Sequence, residues 1–124
     1  FGTCAGMVLA ANELTGDEEA YLGLMDISVK RNGFGRQRES FEADLSIKGM
    51  EDPYKAVFIR APFADEVGEG VEVLAVYEEN VVAARQDHVL VSAFHPELTD
   101  DDRVMQLYIE MVKTSLSKAE LKTC

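Results

Sequence analysis

Phe1-Gly2-Thr3-Cys4-Ala5-Gly6 has the form G-x-C-x-G, with an apolar residue before it and a helix-like run over residues 7–11 after it. This pattern is typical of a nucleophile elbow, in which a strand ends, the chain turns sharply and a helix begins just past the reactive residue. The two glycines are expected to leave room for the turn and for close packing of the helix on neighbouring strands. Cys4 is predicted to be an exposed nucleophile at a helix N-terminus, where the helix dipole lowers the pKa of the thiol. The alternative is a buried structural cysteine on a glycine-rich turn.

A second motif, His95-Pro96-Glu97, follows a predicted apolar strand far downstream of the cysteine. His95 is predicted to take the thiol proton of Cys4 and later to protonate the leaving group, while Glu97 orients the imidazole. The backbone N–H of Ala5, the residue after the nucleophile, is predicted to donate a hydrogen bond to an oxyanion. The alternative for His95 is a strand-end histidine whose hydrogen bonds have a structural role alone.

Charge and composition limit the classes of function. The 124 residues suit one domain, and a hydrophobic fraction of 47% is typical of an ordinary folded chain. The net charge of −11 disfavours nucleic acid and anionic membranes as partners. No apolar run approaches the ~20 residues of a membrane span. The two cysteines, Cys4 and Cys124, do not form a disulfide framework, which favours a reducing, cytoplasmic setting.

Hydrophobic periodicity predicts strands mixed with helices, and therefore an α/β domain. A first helix is predicted over about residues 5–14, ended by Gly16. Residues 40–48 alternate between apolar and polar, which predicts a strand with one wet face. Residues 56–59 and 89–94 are continuous apolar runs, which predicts strands of a parallel sheet buried on both faces. Further strands are predicted over residues 24–31, 71–77 and 81–84, with a loop at 32–35 and a hairpin turn at 78–80.

The last helix has a clear predicted start. Thr99 is expected to cap it, with Asp100 to Asp102 in the first turn, where acidic side chains favour the helix dipole. A stripe of apolar residues at helical spacing then predicts the face that packs on the core, namely Val104, Leu107, Tyr108, Met111 and Val112.

The two motifs and the blocks between them resemble a known family. G-x-C-x-G followed by H-P-E is similar to the signature of class I glutamine amidotransferases, whose triad is Cys-His-Glu. From Phe1 to about Val112 the chain resembles the glutaminase subunits of pyridoxal phosphate synthase. The blocks that carry this resemblance are residues 22–26 (LGLMD), 31–37 (RNGFGRQ), 40–44 (SFEAD), 57–62 (VFIRAP) and 92–99 (SAFHPELT).

The resemblance implies a three-layer, flavodoxin-like α/β sheet with flanking helices. In that family the first strands of the sheet, and a glycine-rich loop that supplies the second oxyanion donor, precede the matched part. Residues 1–124 would then be the C-terminal portion of a single glutaminase domain. The implied reaction is hydrolysis of L-glutamine by Cys4, His95 and Glu97, with ammonia passed to the synthase subunit and with no cofactor or metal.

Three residues are predicted to bind glutamine. Arginine suits the substrate carboxylate, and Arg31 and Arg60 each follow a predicted strand. Because functional groups gather at the carboxyl ends of strands, Cys4, Arg60 and His95 are expected to share one rim. The resemblance implies that Arg31, Ile59 and Arg60 contact glutamine. The alternative for each arginine is a surface salt bridge.

Two departures from the family pattern are Gly33 in residues 31–37 and Phe63 after residues 57–62, where the family more usually has serine and histidine. Both are expected to alter the rim that meets the synthase.

Two other functions stay open at the level of sequence. One is a glutaminase domain that serves a different acceptor, against which the middle blocks argue. The other is an inactive fragment that keeps the synthase-binding surface. Because residues 56–59 and 89–94 are predicted to need cover on both faces, residues 1–124 alone are not expected to form a stable active monomer.

Overall fold

A computed structural model describes residues 1–15, 19–31 and 40–123. A mixed β-sheet, a separate β-ribbon and two helices make up this part of the chain. The elements are β1 (Gly2–Thr3), α1 (Ala5–Ala10), β2 (Ala11–Leu14), β3 (Met25–Lys30), β4 (Ser40–Leu45), β5 (Tyr54–Ile59), β6 (Phe63–Val67), β7 (Glu72–Tyr77), β8 (Asn80–Gln86), β9 (Val89–Ser92), one 3-10 turn (Pro96–Leu98) and α2 (Arg103–Thr123).

The main sheet has the order β1-β9-β8-β6-β3-β2, and β7 pairs with β8 outside this path. The pairs β1–β9 and β2–β3 are parallel, whereas the other pairs are antiparallel. The expected α/β class is confirmed, but the expectation of a parallel sheet is wrong for most pairs. One reason is the predicted hairpin, which is present: β7 turns into β8 through Glu78 and Glu79, with φ of 50° and 69°. A two-residue turn of this kind requires antiparallel strands.

The core lies on both faces of β9, as predicted. Leu90, Val91, Ser92 and the following Ala93 and Phe94 are all at most 1% exposed. Strand β3 also has its predicted pattern, because its apolar side chains are buried and its charged ones are exposed. Strand β6 was not predicted from the sequence.

The first predicted helix is wrong in its second half. α1 ends at Ala10, and Ala11 has the extended backbone of a strand, with φ −63° and ψ 144°. Residues 11–14 form β2, which pairs in parallel with β3 from Ala11 opposite Met25 to Leu14 opposite Val29. This pairing overrides helix propensity, which is a weak preference. Gly16 and the loop predicted at 32–35 lie outside the described residues.

The prediction that residues 56–59 are buried on both faces is wrong. β5 pairs with β4 in a two-stranded ribbon, and its buried side chains alternate with ones that are exposed or half-buried. Phe58 is fully buried but Ile59 is 38% exposed. Strand β9 is already covered by the described residues, so neither strand supports the argument from uncovered faces, and the instability of an isolated chain stays a prediction. In β4 the predicted alternation is present, although the strand ends at Leu45 and not at Lys48.

Helix α2 begins at Arg103, four residues after the predicted cap. Thr99 instead ends the 3-10 turn, and the Asp101 carboxylate accepts the Arg103 backbone N–H at 3.1 Å. The acidic residues therefore precede the first turn of the helix. Four residues of the predicted stripe do pack on the core, but the fifth, Val112, is 39% exposed.

Candidate active site

Cys4 lies in the predicted elbow, between β1 and α1. Its backbone N–H donates to the Ser92 carbonyl at 2.7 Å, which continues the parallel pairing of β1 with β9. The backbone of Cys4 has φ 51° and ψ −103°, a conformation that side-chain-bearing residues rarely adopt. Such a strained residue is held in place by its surroundings and is common at functional sites.

The two glycines of the elbow differ in their need for a bare Cα. A Cβ on Gly2 would lie 2.6 Å from both the carbonyl carbon and the oxygen of Gly6, which are backbone atoms that cannot move aside alone. A Cβ on Gly6 would meet no atom within 4 Å. The expectation that close packing needs a glycine is therefore confirmed for Gly2. It is wrong for Gly6, where a side chain would have room.

A matched pair of variants tests this difference. Gly2→Ala is expected to lower the free energy of unfolding by about 1–3 kcal/mol, because the backbone must shift to accept the methyl group. Gly6→Ala is expected to raise it by about 0.5–1 kcal/mol, since alanine replaces glycine inside a helix with no clash. Urea denaturation of both variants provides the measurement. Equal effects of the two substitutions would contradict the close approach at Gly2.

The Cys4 thiol is half-buried and donates to the Ile59 carbonyl oxygen at 3.6 Å. Burial raises the pKa of the Cys4 thiol, a hydrogen bond from the Ala5 backbone N–H opposes this, and the negative charge of Glu97 raises the pKa further. The predicted lowering of the pKa is therefore wrong in this arrangement. The α1 N-terminus does act in the predicted direction, through Ala5, but desolvation is the larger effect.

His95 and Glu97 form a close pair. The His95 Nδ1 atom lies 2.6 Å from Glu97 Oε1, with the two side chains 22% and 53% exposed. The 3-10 turn bends the chain so that a residue two positions after His95 can reach its ring, and the Leu98 N–H donates to the His95 carbonyl at 3.2 Å. The Glu97 carboxylate contacts Nδ1 of the ring, which leaves Nε2 available for proton transfer.

Strand β5 joins the two motifs. The Val57 carbonyl accepts the His95 backbone N–H at 2.9 Å, and two residues later the Ile59 carbonyl accepts the Cys4 thiol at 3.6 Å. Alternate carbonyls of a strand point to the same side, so Cys4 and the His95 segment meet the same edge of β5. These contacts were not predicted from the sequence, in which the spacing of two along a strand is the signal that could have suggested them.

The three residues predicted to bind a substrate lie at the ends of strands. Ile59 ends β5, and the exposed Arg60 follows it with φ 47°. This second strained position comes directly after the residue whose carbonyl accepts the Cys4 thiol. Arg31 is also exposed and follows β3, whose Lys30 pairs with Phe63. This register brings Arg31 close to the chain that leads from Arg60 into β6.

The two departures from the family pattern have different outcomes. Phe63 is buried at the start of β6. Its side chain could therefore affect the rim that meets the synthase only through its packing, and this effect stays a prediction. Gly33 lies outside the described residues.

Two further kinds of feature, metal sites and membrane-spanning helices, concern the described part of the chain. No group of three or more His, Cys, Asp or Glu residues there could hold a metal ion. No helix there is both long and apolar enough to cross a membrane.

Residues 1–114 match the family model for the SNO glutamine amidotransferase family. The chain belongs to this family. The resemblance found in the sequence is therefore confirmed, and a structural comparison supports it. A solved structure described as a crystal structure of glutamine amidotransferase superposes with a TM-score of 0.83 and 49% identity. The match covers 90% of this chain and 59% of that one, which confirms the fold class.

Among curated proteins, the chain is similar to pyridoxal 5'-phosphate synthase subunit PdxT from several bacteria. It is 58% identical to the Geobacillus kaustophilus protein over 98% of this chain and 62% of that protein. It is 57% identical to the Niallia circulans protein over 91% of this chain and 60% of that protein. The chain thus spans about three fifths of the length of these relatives.

Proposed function

We propose that this chain carries the catalytic triad of a glutaminase, which hydrolyses L-glutamine to glutamate and ammonia. Cys4 is the nucleophile, His95 the general base and acid, and Glu97 the residue that orients His95. The observation that carries the proposal is the 2.6 Å contact of His95 with Glu97, on a segment hydrogen-bonded to the same strand edge as Cys4. Membership of a glutamine amidotransferase family supports the choice of substrate.

The reaction follows from these positions. His95 takes the thiol proton, which a thiol of raised pKa does not release readily alone. The thiolate attacks the side-chain amide carbon of glutamine, and the Ala5 N–H, already directed at the sulfur, donates to the developing oxyanion. His95 then protonates the leaving ammonia. Water, activated by His95, cleaves the thioester to give glutamate and the free thiol.

Substrate binding is assigned to residues at the ends of β3 and β5. Arg31 and Arg60 are proposed to bind the glutamine carboxylate, because arginine offers paired N–H donors to it. Ile59 is proposed to contact the substrate, since it is 38% exposed and its carbonyl already meets the Cys4 thiol.

The proposed partner is a pyridoxal 5'-phosphate synthase subunit, which would receive the ammonia. The name of the PdxT relatives supports this partner.

We also propose that residues 1–124 form the C-terminal portion of a single glutaminase domain, in keeping with the share of the relatives that they match. A cytoplasmic setting suits a half-buried cysteine that must stay reduced. The proposed chemistry requires no cofactor.

The deciding experiment measures ammonia release from glutamine by the whole protein, with and without the synthase subunit. We expect slow release alone and a gain of about 10²–10³-fold with the synthase, the value of one completed oxyanion donor. No release in either condition would support an inactive fragment. Equal rates in both conditions would exclude coupling to this partner.

The arginines provide a test of substrate binding. Arg31→Ala and Arg60→Ala are each expected to reduce kcat/KM for glutamine by about 1.5–3 kcal/mol in activation free energy, the value of a hydrogen bond to a charged group. Arg85→Ala is a matched control, because Arg85 pairs with Glu72 at 3.1 Å on β7. If both test variants keep the wild-type kcat/KM, the carboxylate is bound elsewhere.

A further inference from the structure

A buried tyrosine at the start of β5 contacts the end of the 3-10 turn that contains Glu97. Tyr54 is completely buried, and its hydroxyl lies 3.3 Å from Thr99 Oγ1. Thr99 in turn donates to the carbonyl of Pro96 at 3.3 Å, across the 3-10 turn. A buried hydroxyl needs a partner, and these contacts join the first residue of β5 to both ends of the turn.

The direction of the hydrogen bonds follows from the number of protons. Thr99 Oγ1 has one proton, and the oxygens within its reach on Pro96 and Asp101 are carbonyls, which can only accept. If Thr99 donates to one of these carbonyls, as its contact with Pro96 indicates, Tyr54 donates to Thr99 and both hydroxyl protons have an acceptor. Burial raises the pKa of the Tyr54 hydroxyl, so it keeps its proton and remains a donor at neutral pH.

The tyrosine is itself held on two sides. Its ring packs against Phe94, the residue before His95, with centroids 5.6 Å apart. The Arg103 guanidinium lies 5.8 Å from the ring centroid and donates to the carbonyls of Asp52 and Pro53 at 2.8 and 2.9 Å. The same guanidinium pairs with Asp101 at 2.6 Å. The chain on either side of the turn is thus fixed relative to the start of β5.

Strand β5 consequently meets the catalytic segments at three points along its length. Tyr54 contacts Thr99, the Val57 carbonyl binds the His95 N–H, and the Ile59 carbonyl binds the Cys4 thiol. The Val57 contact fixes the backbone of His95, but Glu97 lies two residues further along, on the far side of Pro96. The Tyr54–Thr99–Pro96 chain is the contact that fixes that side.

We propose that Tyr54 and Thr99 are positioning residues, whose hydroxyls hold the 3-10 turn where Glu97 reaches His95 Nδ1. This inference rests on the proposed glutaminase function and deepens it. Neither residue touches the reacting atoms. They act through Glu97, and so their loss affects turnover more than glutamine binding.

The kinetic test uses the whole protein with its synthase partner. Tyr54→Phe keeps the ring and removes the hydroxyl, and is expected to lower kcat about 10-fold, within the roughly 100-fold that a 1 Å misplacement can cost. KM for glutamine is expected to change less than about twofold, since the substrate contacts are intact. Thr99→Val should have the same effect, Thr99→Ser should keep the wild-type kcat, and the double variant should be no worse than either single one.

The control is Tyr108→Phe, which removes the hydroxyl of a half-buried tyrosine whose ring packs on Phe1. It should leave kcat unchanged. A wild-type kcat in both Tyr54→Phe and Thr99→Val, or strictly additive losses in the double variant, would overturn the proposal.

A second readout does not depend on activity. In proton NMR of the wild type, the Nδ1 proton shared between His95 and Glu97 is expected as a low-field signal, because short hydrogen bonds deshield the proton. Tyr54→Phe and Thr99→Val should shift this signal upfield or broaden it, whereas Thr99→Ser and Tyr108→Phe should not. If the wild type shows the signal but no glutamine turnover, the proposed function fails and the positioning role is still tested by the signal. An unchanged signal in both Tyr54→Phe and Thr99→Val overturns the positioning role.

Discussion

Replacement of Cys4 by serine is expected to lower kcat for glutamine hydrolysis by about 10⁶-fold, the cost of removing the nucleophile from a triad that acts as a unit. Serine has nearly the size of cysteine, and its hydroxyl can still donate to the Ile59 carbonyl, which now accepts the thiol at 3.6 Å. The fold should therefore survive, and the loss should be chemical. Steady-state ammonia release in the presence of the synthase measures the effect, and thermal unfolding checks the fold.

Cys124→Ser is the matched control and is expected to keep full activity, because the proposed mechanism gives this residue no role. A diazo-ketone analogue of glutamine should label Cys4 and spare Cys124, and excess glutamine should protect Cys4. Labelling that ignores glutamine, or that prefers Cys124, would remove Cys4 from its proposed role. A residual rate in Cys4→Ser near that of the wild type would do the same.

The elbow could be predicted from sequence because its signals are local. Gly2, Cys4 and the apolar run after them lie within a few residues, and the close approach of Gly2 to Gly6 follows from the same turn. The pair His95 and Glu97 is similarly local, because the two residues are two positions apart and a 3-10 turn brings them together. Sequence periodicity also identified β3 and the β7–β8 hairpin.

Features that depend on distant parts of the chain could not be predicted in this way. Residues 11–14 continue the pattern of a helix, and their pairing with β3 decides that they form a strand. The run at residues 56–59 has the composition of a strand buried on both faces, but β5 lies in a ribbon with β4 and leaves Ile59 exposed. Local composition has no information about which strand becomes the neighbour.

The electrostatics of Cys4 were mispredicted for the same reason. The helix N-terminus is visible in the sequence, and it predicts a lower pKa of the thiol. The burial of Cys4 against β5 and the negative charge of Glu97 come from contacts 55 and 93 positions away along the chain, and they raise the pKa. The sequence could identify the groups at the site, whereas their balance depends on the fold.

The negative charge of Glu97 therefore has two opposing effects on the proposed reaction, one favourable through His95 and one unfavourable through Cys4. In the proposed mechanism the Glu97 carboxylate, 2.6 Å from His95 Nδ1, orients the imidazole and stabilises the imidazolium that forms when His95 takes a proton. The same charge disfavours the thiolate of Cys4, because it raises the pKa of the thiol. A single substitution that removes the charge and keeps the shape separates the two effects.

Glu97→Gln is expected to lower kcat for glutamine hydrolysis by about 10⁴-fold, the cost of losing the orienting acid of a triad. The alkylation of Cys4 by a small electrophile should respond in the other direction. Its rate rises with pH as the thiol ionises. Removal of the Glu97 charge should lower the pKa of Cys4, so the midpoint of the alkylation rate should move to lower pH.

Glu110→Gln is the control, because Glu110 lies on the exposed side of α2, 3.6 Å from Lys113. It should change neither kcat nor the midpoint. A midpoint that moves to higher pH in Glu97→Gln would contradict the direct effect of Glu97 on the thiol. A kcat close to that of the wild type would mean that His95 does not need Glu97.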